Sequence, residues 1–154
     1  MKQKQANART CFVCGVENPV GLKMHFYLTG PGQTLAEYTV PAHYQGYPGI
    51  VHGGIIASML DEVAGRVVMN GDPPRFMVTA NLSVRYRRPV PTGKPLRLVG
   101  TLKEDQGRVA KSTAVIYDES GTLLAEAEAV LVEMPTDSMA RFSDDPSNWQ
   151  VYPD

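Results

Sequence analysis

Only one stretch of this chain has the pattern of a long helix, and that limits the architectures open to it. Residues 52–70 are apolar and free of Pro, and Ile56, Met59, Leu60, Val63 and Val67 recur at helical spacing, so one face is built for burial. A second face reads Gly54, Ala57, Ser58, Asp61 and Gly65. Its residues are small apart from the acid, so another backbone can approach it closely.

The rest of the ordered pattern is strand. Residues 76–88 alternate, with Val78, Ala80, Leu82, Val84 and Tyr86 on one face and Thr79, Asn81, Ser83, Arg85 and Arg87 on the other. A period of two is the mark of a half-buried strand. Pro89, Pro91 and Gly93 end it. Strands are expected at 96–102, 109–117 and 123–132, joined by turns at Asp105-Gln106-Gly107 and Asp118-Glu119-Ser120-Gly121. Two shorter alternating runs, 23–28 and 34–40, precede the helix. One helix among antiparallel strands is an α+β layout, and wrapping the sheet around the helix is the natural way to bury it. The folded unit is expected over residues 11–134. Residues 1–10 are polar and are expected to be flexible. Residues 135–154 read as a tail, in which Trp149 and Tyr152 are the groups able to dock.

At 154 residues the chain is the size of a single domain, and 43% hydrophobic and 20% charged residues are ordinary for a soluble one. A net charge of −1 supplies no basic field for nucleic acid. The polar opening is no secretory signal, and no apolar run reaches the roughly 18 residues of a membrane span. The expectation is a cytoplasmic protein with no nucleic-acid or membrane partner. Two cysteines cannot build a disulfide framework.

Chemistry concentrates around the helix. His52-Gly53-Gly54 opens it, and backbone N–H groups at a helix start have no intrahelical partner. Two readings fit the glycines: a tight turn, or a place where a carbonyl or oxyanion meets those donors. Asp61 lies mid-helix with Ala57 and Gly65 at i−4 and i+4, so it has no basic partner there; it is either a solvated acid or a working one. Glu62 differs, because Arg66 four residues on is placed for an ion pair. Gly54 and Asp61 are seven residues apart, roughly 10 Å along a helix, too far to act on one carbonyl within one chain. A two-fold pairing of chains brings them together. Cys11-x-x-Cys14 offers two ligands where zinc needs four, and His25, His43 and His52 form no second pair, so no metal is expected. Arg85, Arg87, Arg88 and Lys94 form a basic cluster, either a solvated strand end or a hold on phosphates.

The segment from Tyr44 to Gly54, with Asp61 nine residues after His52, resembles the hotdog-fold acyl-CoA thioesterases of the phenylacetate-pathway type. Residues 79–89 resemble that family's long strand after the helix, and Cys11-x-x-Cys14-Gly15 with Asn18-Pro19-x-Gly21-Leu22 resembles an opening found in one branch. The resemblance implies a sheet wrapped around a central helix, homodimers or homotetramers, and hydrolysis of an acyl-CoA without metal or cofactor. Carried over by position, the Gly54 N–H polarises the thioester carbonyl, and Asp61 of the other subunit attacks it or activates water. His52 shapes the loop and contacts substrate, Gly53 lies beside it, and Thr79 positions the water. Many relatives carry Asn or Gln about six residues before the His; here Gln45 stands seven before and Gly46 six before, and Gln45 is the residue taken to match. Arg85, Arg87 and Arg88 are the expected contacts to the CoA phosphates. Two other readings stay open: a hotdog hydratase or dehydratase drawing on His52 and Glu62, and an acyl-CoA binder without turnover.

Overall fold

The computed structural model describes residues 2–71 and 73–154. The chain forms β1 (Gln3–Lys4), β2 (Tyr27–Gly30), β3 (Gln33–Thr39), α1 (Gly53–Gly65), β4 (Met77–Tyr86), β5 (Pro95–Asp105), β6 (Val109–Tyr117), β7 (Leu123–Glu133) and α2 (Thr136–Ser143). The strands make one seven-stranded sheet in the order β1-β2-β3-β5-β6-β7-β4, antiparallel throughout. The α+β class and the single central helix therefore hold.

The helix lies across one face of the sheet, against β3 to β7. Met59, Leu60 and Val63 are wholly buried there, and each stabilises the fold by about 1.5–3 kcal/mol. The strands beneath carry small residues: Ala114 on β6 and Ala125, Ala127 and Ala129 on β7 are all buried. On β5 the fit is closer still, since a Cβ at Gly100 would lie 2.5 Å from the Val63 carbonyl oxygen. The helix thus sits as near the sheet as backbone allows. Where it ends, Ser112 Oγ donates to the Ala64 carbonyl at 2.9 Å and a short 3-10 turn, Arg66–Val68, replaces the expected continuation to residue 70.

One expectation about the N-terminal part is corrected. Of the alternating run 23–28, only residues from Tyr27 onward join the sheet. Lys23 has φ 57°, which breaks the extended chain, and the neighbouring N–H groups of Leu22 and Met24 donate to Phe12 and Val13 instead. Several of the polar residues before Cys11 have specific partners in the fold. Gln3 and Lys4 pair with β2. Gln5 Nε2 donates to the Arg66 carbonyl and Asn7 Nδ2 to the Met24 carbonyl, each at 3.2 Å. Both side chains are buried, and backbone carbonyls receive their N–H groups. The C-terminal segment docks as well. Phe142 and Trp149 pack on Phe76 with ring centroids 5.0 Å away, and Gln150 bridges back to Asn7.

The strand β4 forms one edge of the sheet and contains a bulge between Thr79 and Asn81. Thr79 pairs with Leu131 and Asn81 with Val130, so Ala80 has no opposite number. An inserted residue exchanges the two faces of a strand. Before the bulge Thr79 shares the helix side with Met77; after it Leu82 and Val84 do. Unbroken alternation put Thr79 on the far face with Asn81 and Ser83, and the bulge overturns that.

Candidate active site

Two separate clefts flank α1. The first opens at its start and encloses about 640 Å³, bordered by Gly46, Tyr47, His52, Gly53, Tyr86 and Arg88. The loop that forms it is stitched from within: Gly46 N–H donates to the Ile50 carbonyl at 2.8 Å, His52 N–H to the Tyr44 carbonyl at 3.0 Å, and Val51 N–H to the Val90 carbonyl at 2.8 Å. Gln45 Oε1 accepts from Gly49 N–H at 3.0 Å. The structure therefore uses Gln45 to brace the loop, and Gly46 is the neighbour that borders the cleft.

His52 is the N-cap of α1, and its Nδ1 accepts from the Gly54 N–H at 2.9 Å. Nδ1 as acceptor puts the ring proton of the neutral imidazole on Nε2. The donor named from the sequence, Gly54 N–H, is thus already engaged. Ile55 and Ile56 N–H both reach the His52 carbonyl. Among the described residues, the Gly53 N–H has no acceptor, and it borders the open cleft. Tyr86 holds this glycine from the other side, its hydroxyl donating to the Gly53 carbonyl at 2.8 Å. With Tyr47 it adds an aromatic wall to the cleft; the two side chains are 54% and 80% exposed in the single chain. Sequence reasoning missed both. Tyr86 carried a signal, as the last residue of the strand's apolar face, while Tyr47 carried none.

The second cleft lies farther along the helix, encloses about 350 Å³, and is bordered by Asp61, Glu62, Gly65, Met77, Val78 and Thr79. Thr79 Oγ1 donates to Asp61 Oδ1 at 2.6 Å, a contact the β4 bulge makes available. A carboxylate has two oxygens and about four lone-pair sites, so Asp61 keeps most of its accepting capacity. Gly53 and Asp61 are eight residues apart on one helix, roughly 12 Å along its axis. Neither cleft contains both groups.

Glu62 turns away from this chemistry. Its Oε1 takes the Arg66 Nε at 2.8 Å, and Arg66 is fully buried. His52 Nδ1 is taken by the Gly54 N–H and Glu62 Oε1 by the Arg66 guanidinium. The basic cluster is split. Arg87 and Arg88 border the first cleft, with Arg87 also paired to Glu126 at 2.9 Å. Arg85 lies in a different groove beside Lys103, Thr113 and Glu128.

A family model described as the thioesterase superfamily matches residues 48–125, which takes in the first cleft, the helix and the strands beneath it. The rat acyl-coenzyme A thioesterase THEM4 is 27% identical over 138 residues, covering 88% of this chain and 59% of the rat protein, so the chain spans about three fifths of that relative's length. The crystal structure of the thioesterase superfamily protein RHA08564 superposes with a TM-score of 0.73 at 34% identity, over 81% of this chain and 61% of that one. The Escherichia coli PaaI protein from the phenylacetic acid degradation operon, at 15% identity, shares the fold with a TM-score of 0.67 over 74% of this chain and 81% of its own. With more than half of its length matched by the family model, and a helix start and mid-helix acid disposed as described, the chain belongs to the thioesterase superfamily.

Proposed function

We propose that the chain hydrolyses acyl-CoA thioesters at a site completed by two subunits. The observation that carries this is the pairing on one helix of an unpartnered N–H, Gly53, with an acid held by a single hydroxyl, Asp61, too far apart to meet within one chain. A second copy laid against the free edge of β4 in two-fold fashion supplies the missing half of each site. The rat relative's name supports acyl-CoA as the substrate class.

In this reading the Gly53 N–H, at the positive end of the helix, receives the thioester carbonyl and the charge that develops on it. Asp61 from the other subunit, steered by Thr79, attacks the carbonyl carbon directly or takes a proton from the water that does. The tetrahedral oxyanion collapses and the C–S bond breaks, giving the free carboxylic acid where water attacked, or an Asp61–acyl anhydride where Asp61 attacked, which a water then hydrolyses to release the acid and restore the carboxylate. CoA leaves as a thiolate, a leaving group good enough to need no strong general acid, and regains its proton from Asp61 or solvent. His52 keeps the helix start in register through Nδ1 and borders the cleft, where it can contact substrate. Arg87 and Arg88 at the cleft mouth suit the CoA phosphates, and the tyrosine wall suits an apolar acyl group. A homodimer or homotetramer in the cytoplasm belongs to the same reading.

The test is release of CoA, followed by chromatography, from short, medium, long and aromatic acyl-CoAs. Gly53→Pro replaces the N–H with a ring carbon while leaving the backbone path intact: Pro is favoured at the first helical position, and His52 at φ −57° and ψ 137° already has the conformation a residue before Pro requires. Turnover is expected from the parent and lost in both Gly53→Pro and Asp61→Ala. Co-refolding the two dead variants restores about a quarter of parental turnover, since half the dimers are mixed and each carries one intact site. No release across the panel, or no recovery on mixing, overturns the reading.

A further inference from the structure

We propose that Cys11, Cys14 and Glu62 form a binding site for a thiophilic divalent cation, zinc by preference, with Arg66 orienting the Glu62 carboxylate. The sequence shows two thiols and no third ligand. Folding supplies the third from α1, far along the chain, so that one ligand atom from each residue lies within 4.8 Å of the others. Cys11 Sγ is 3.9 Å from Glu62 Oε2. Ligand atoms of a tetrahedral zinc site with usual bond lengths are about 3.5–3.8 Å apart, so a rotamer adjustment of either side chain brings the three into range.

The turn around the cysteines is shaped for a thiolate. The Cys14 N–H points at Cys11 Sγ at 3.4 Å, and the Val13 N–H acts on the same sulfur. Gly15 follows because nothing else fits: a Cβ there would lie 2.4 Å from both the nitrogen and the oxygen of Cys11. Gly15 N–H closes the turn onto the Cys11 carbonyl at 2.8 Å. Leu22 and Met24 N–H then pin its Phe12 and Val13 carbonyls. Hydrogen bonds from the Cys14 thiol and these amides pull the Cys11 thiol down to about 6, although burial and Glu62 oppose them. The thiol of Cys14 is pushed strongly upward by Cys11, burial and Glu62.

Arg66 decides the charge balance. Two thiolates and a carboxylate carry three negative charges, while a divalent cation and the guanidinium carry three positive ones. The site is neutral when loaded, which suits its burial. Arg66 Nε holds Glu62 Oε1 and leaves Oε2 facing Cys11, the outer-sphere hydrogen bond that usually fixes a ligating carboxylate. Thiolates select zinc over magnesium or calcium. A water or a solute ligand completes the tetrahedron. Nothing in this site depends on the thioesterase reading, since Asp61, Gly53 and Thr79 take no part in it.

The test uses the full chain, reduced and stripped with a chelator, and titrates zinc against a chromophoric competitor. One equivalent is expected to bind with a dissociation constant below about 1 μM, well inside the affinity of thiolate zinc sites. Cobalt in its place is expected to give thiolate charge-transfer absorption in the near ultraviolet and the strong visible bands of tetrahedral coordination. Cys14→Ser and Cys11→Ser each weaken the charge-transfer band, and Glu62→Gln lowers zinc affinity by more than tenfold. Parent protein that binds no zinc, or a cobalt spectrum unaltered in both serine variants, overturns the proposal. So does a parent chain purified without reductant in which Cys11 and Cys14 are already joined as a disulfide that added zinc leaves intact. Should Glu62→Gln fail to fold, the serine variants carry the test, because neither removes the partner of Arg66.

Discussion

Asp61 and Glu62 are adjacent acids on the same helix, and the fold gives them opposite fates. A step of one residue turns about 100° around a helix, which moves from the side facing β4 and an open cleft to the side facing Arg66 and the cysteine turn. Asp61 is met by a single hydroxyl, Thr79 Oγ1. Glu62 is met by a buried guanidinium on one oxygen and a thiol on the other. On the proposed reading the two roles divide between neighbours: the acid with the fewest partners is the one placed to act on substrate, and the one with the most is held by the protein itself. A carboxylate's role here follows from what its second oxygen faces.

The crossed pair of neutralising variants is the strongest way to break this division. Asp61→Asn is expected to lower kcat by about 10²–10⁴-fold, the usual worth of a positioned acid or base, with the melting temperature unchanged. Glu62→Gln is expected to do the reverse in the folded fraction. It leaves the Arg66 charge buried without its anion, at a cost of about 3 kcal/mol, or roughly 10 °C in Tm. Thermal melts and CoA release on both proteins decide it; equal loss of stability, or equal loss of turnover, erases the distinction. A smaller effect sharpens the Asp61 side. Thr79→Val keeps the shape but removes one charge-assisted hydrogen bond, and about a tenfold fall in kcat with KM unchanged is expected. On the Glu62 side the smallest readout is chemical. In chelated, reduced protein, iodoacetamide is expected to modify Cys11 well before Cys14. Its rate climbs as pH rises through about 6, because the lowered thiol is already thiolate above that point. Cys14 is the slower thiol because its ionisation is pushed upward.

Much of the scaffold was legible in the residues. The period-two runs of β5, β6 and β7 and the apolar stripe of α1 report burial directly, and burial is what periodicity encodes. The His52–Asp61 spacing and the Glu62–Arg66 pair were visible because they are local. The rest depends on tertiary partners. Ala80 does not look like an insertion in a strand; it becomes one only when β7 sets the register, and that moves Thr79 to the helix side. Which of two consecutive glycines has the open N–H depends on the rotamer of His52. The amides of Gln5 and Asn7 read as solvent-seeking, yet carbonyls 61 and 17 residues away receive them. Glu62 meets Cys11 across 51 residues of chain, a distance no spacing rule spans.

The enclosure of Arg66 has a consequence for the order in which the molecule is completed. Its guanidinium is stacked between Phe26, 4.2 Å away, and Trp149, 5.3 Å away, and Nη1 donates to the Ala6 carbonyl at 2.8 Å. On a ribosome, residue 149 emerges long after residue 66, so most of the sheet can assemble while this cation is still hydrated. Shedding that water is then left to the segment around residue 149, when Trp149 closes over the guanidinium and Gln150 pairs with Asn7. A nascent chain stalled before residue 149 would carry its strands and helix yet lack this cover, and the Arg66 charge would stay open to water where the folded chain buries it.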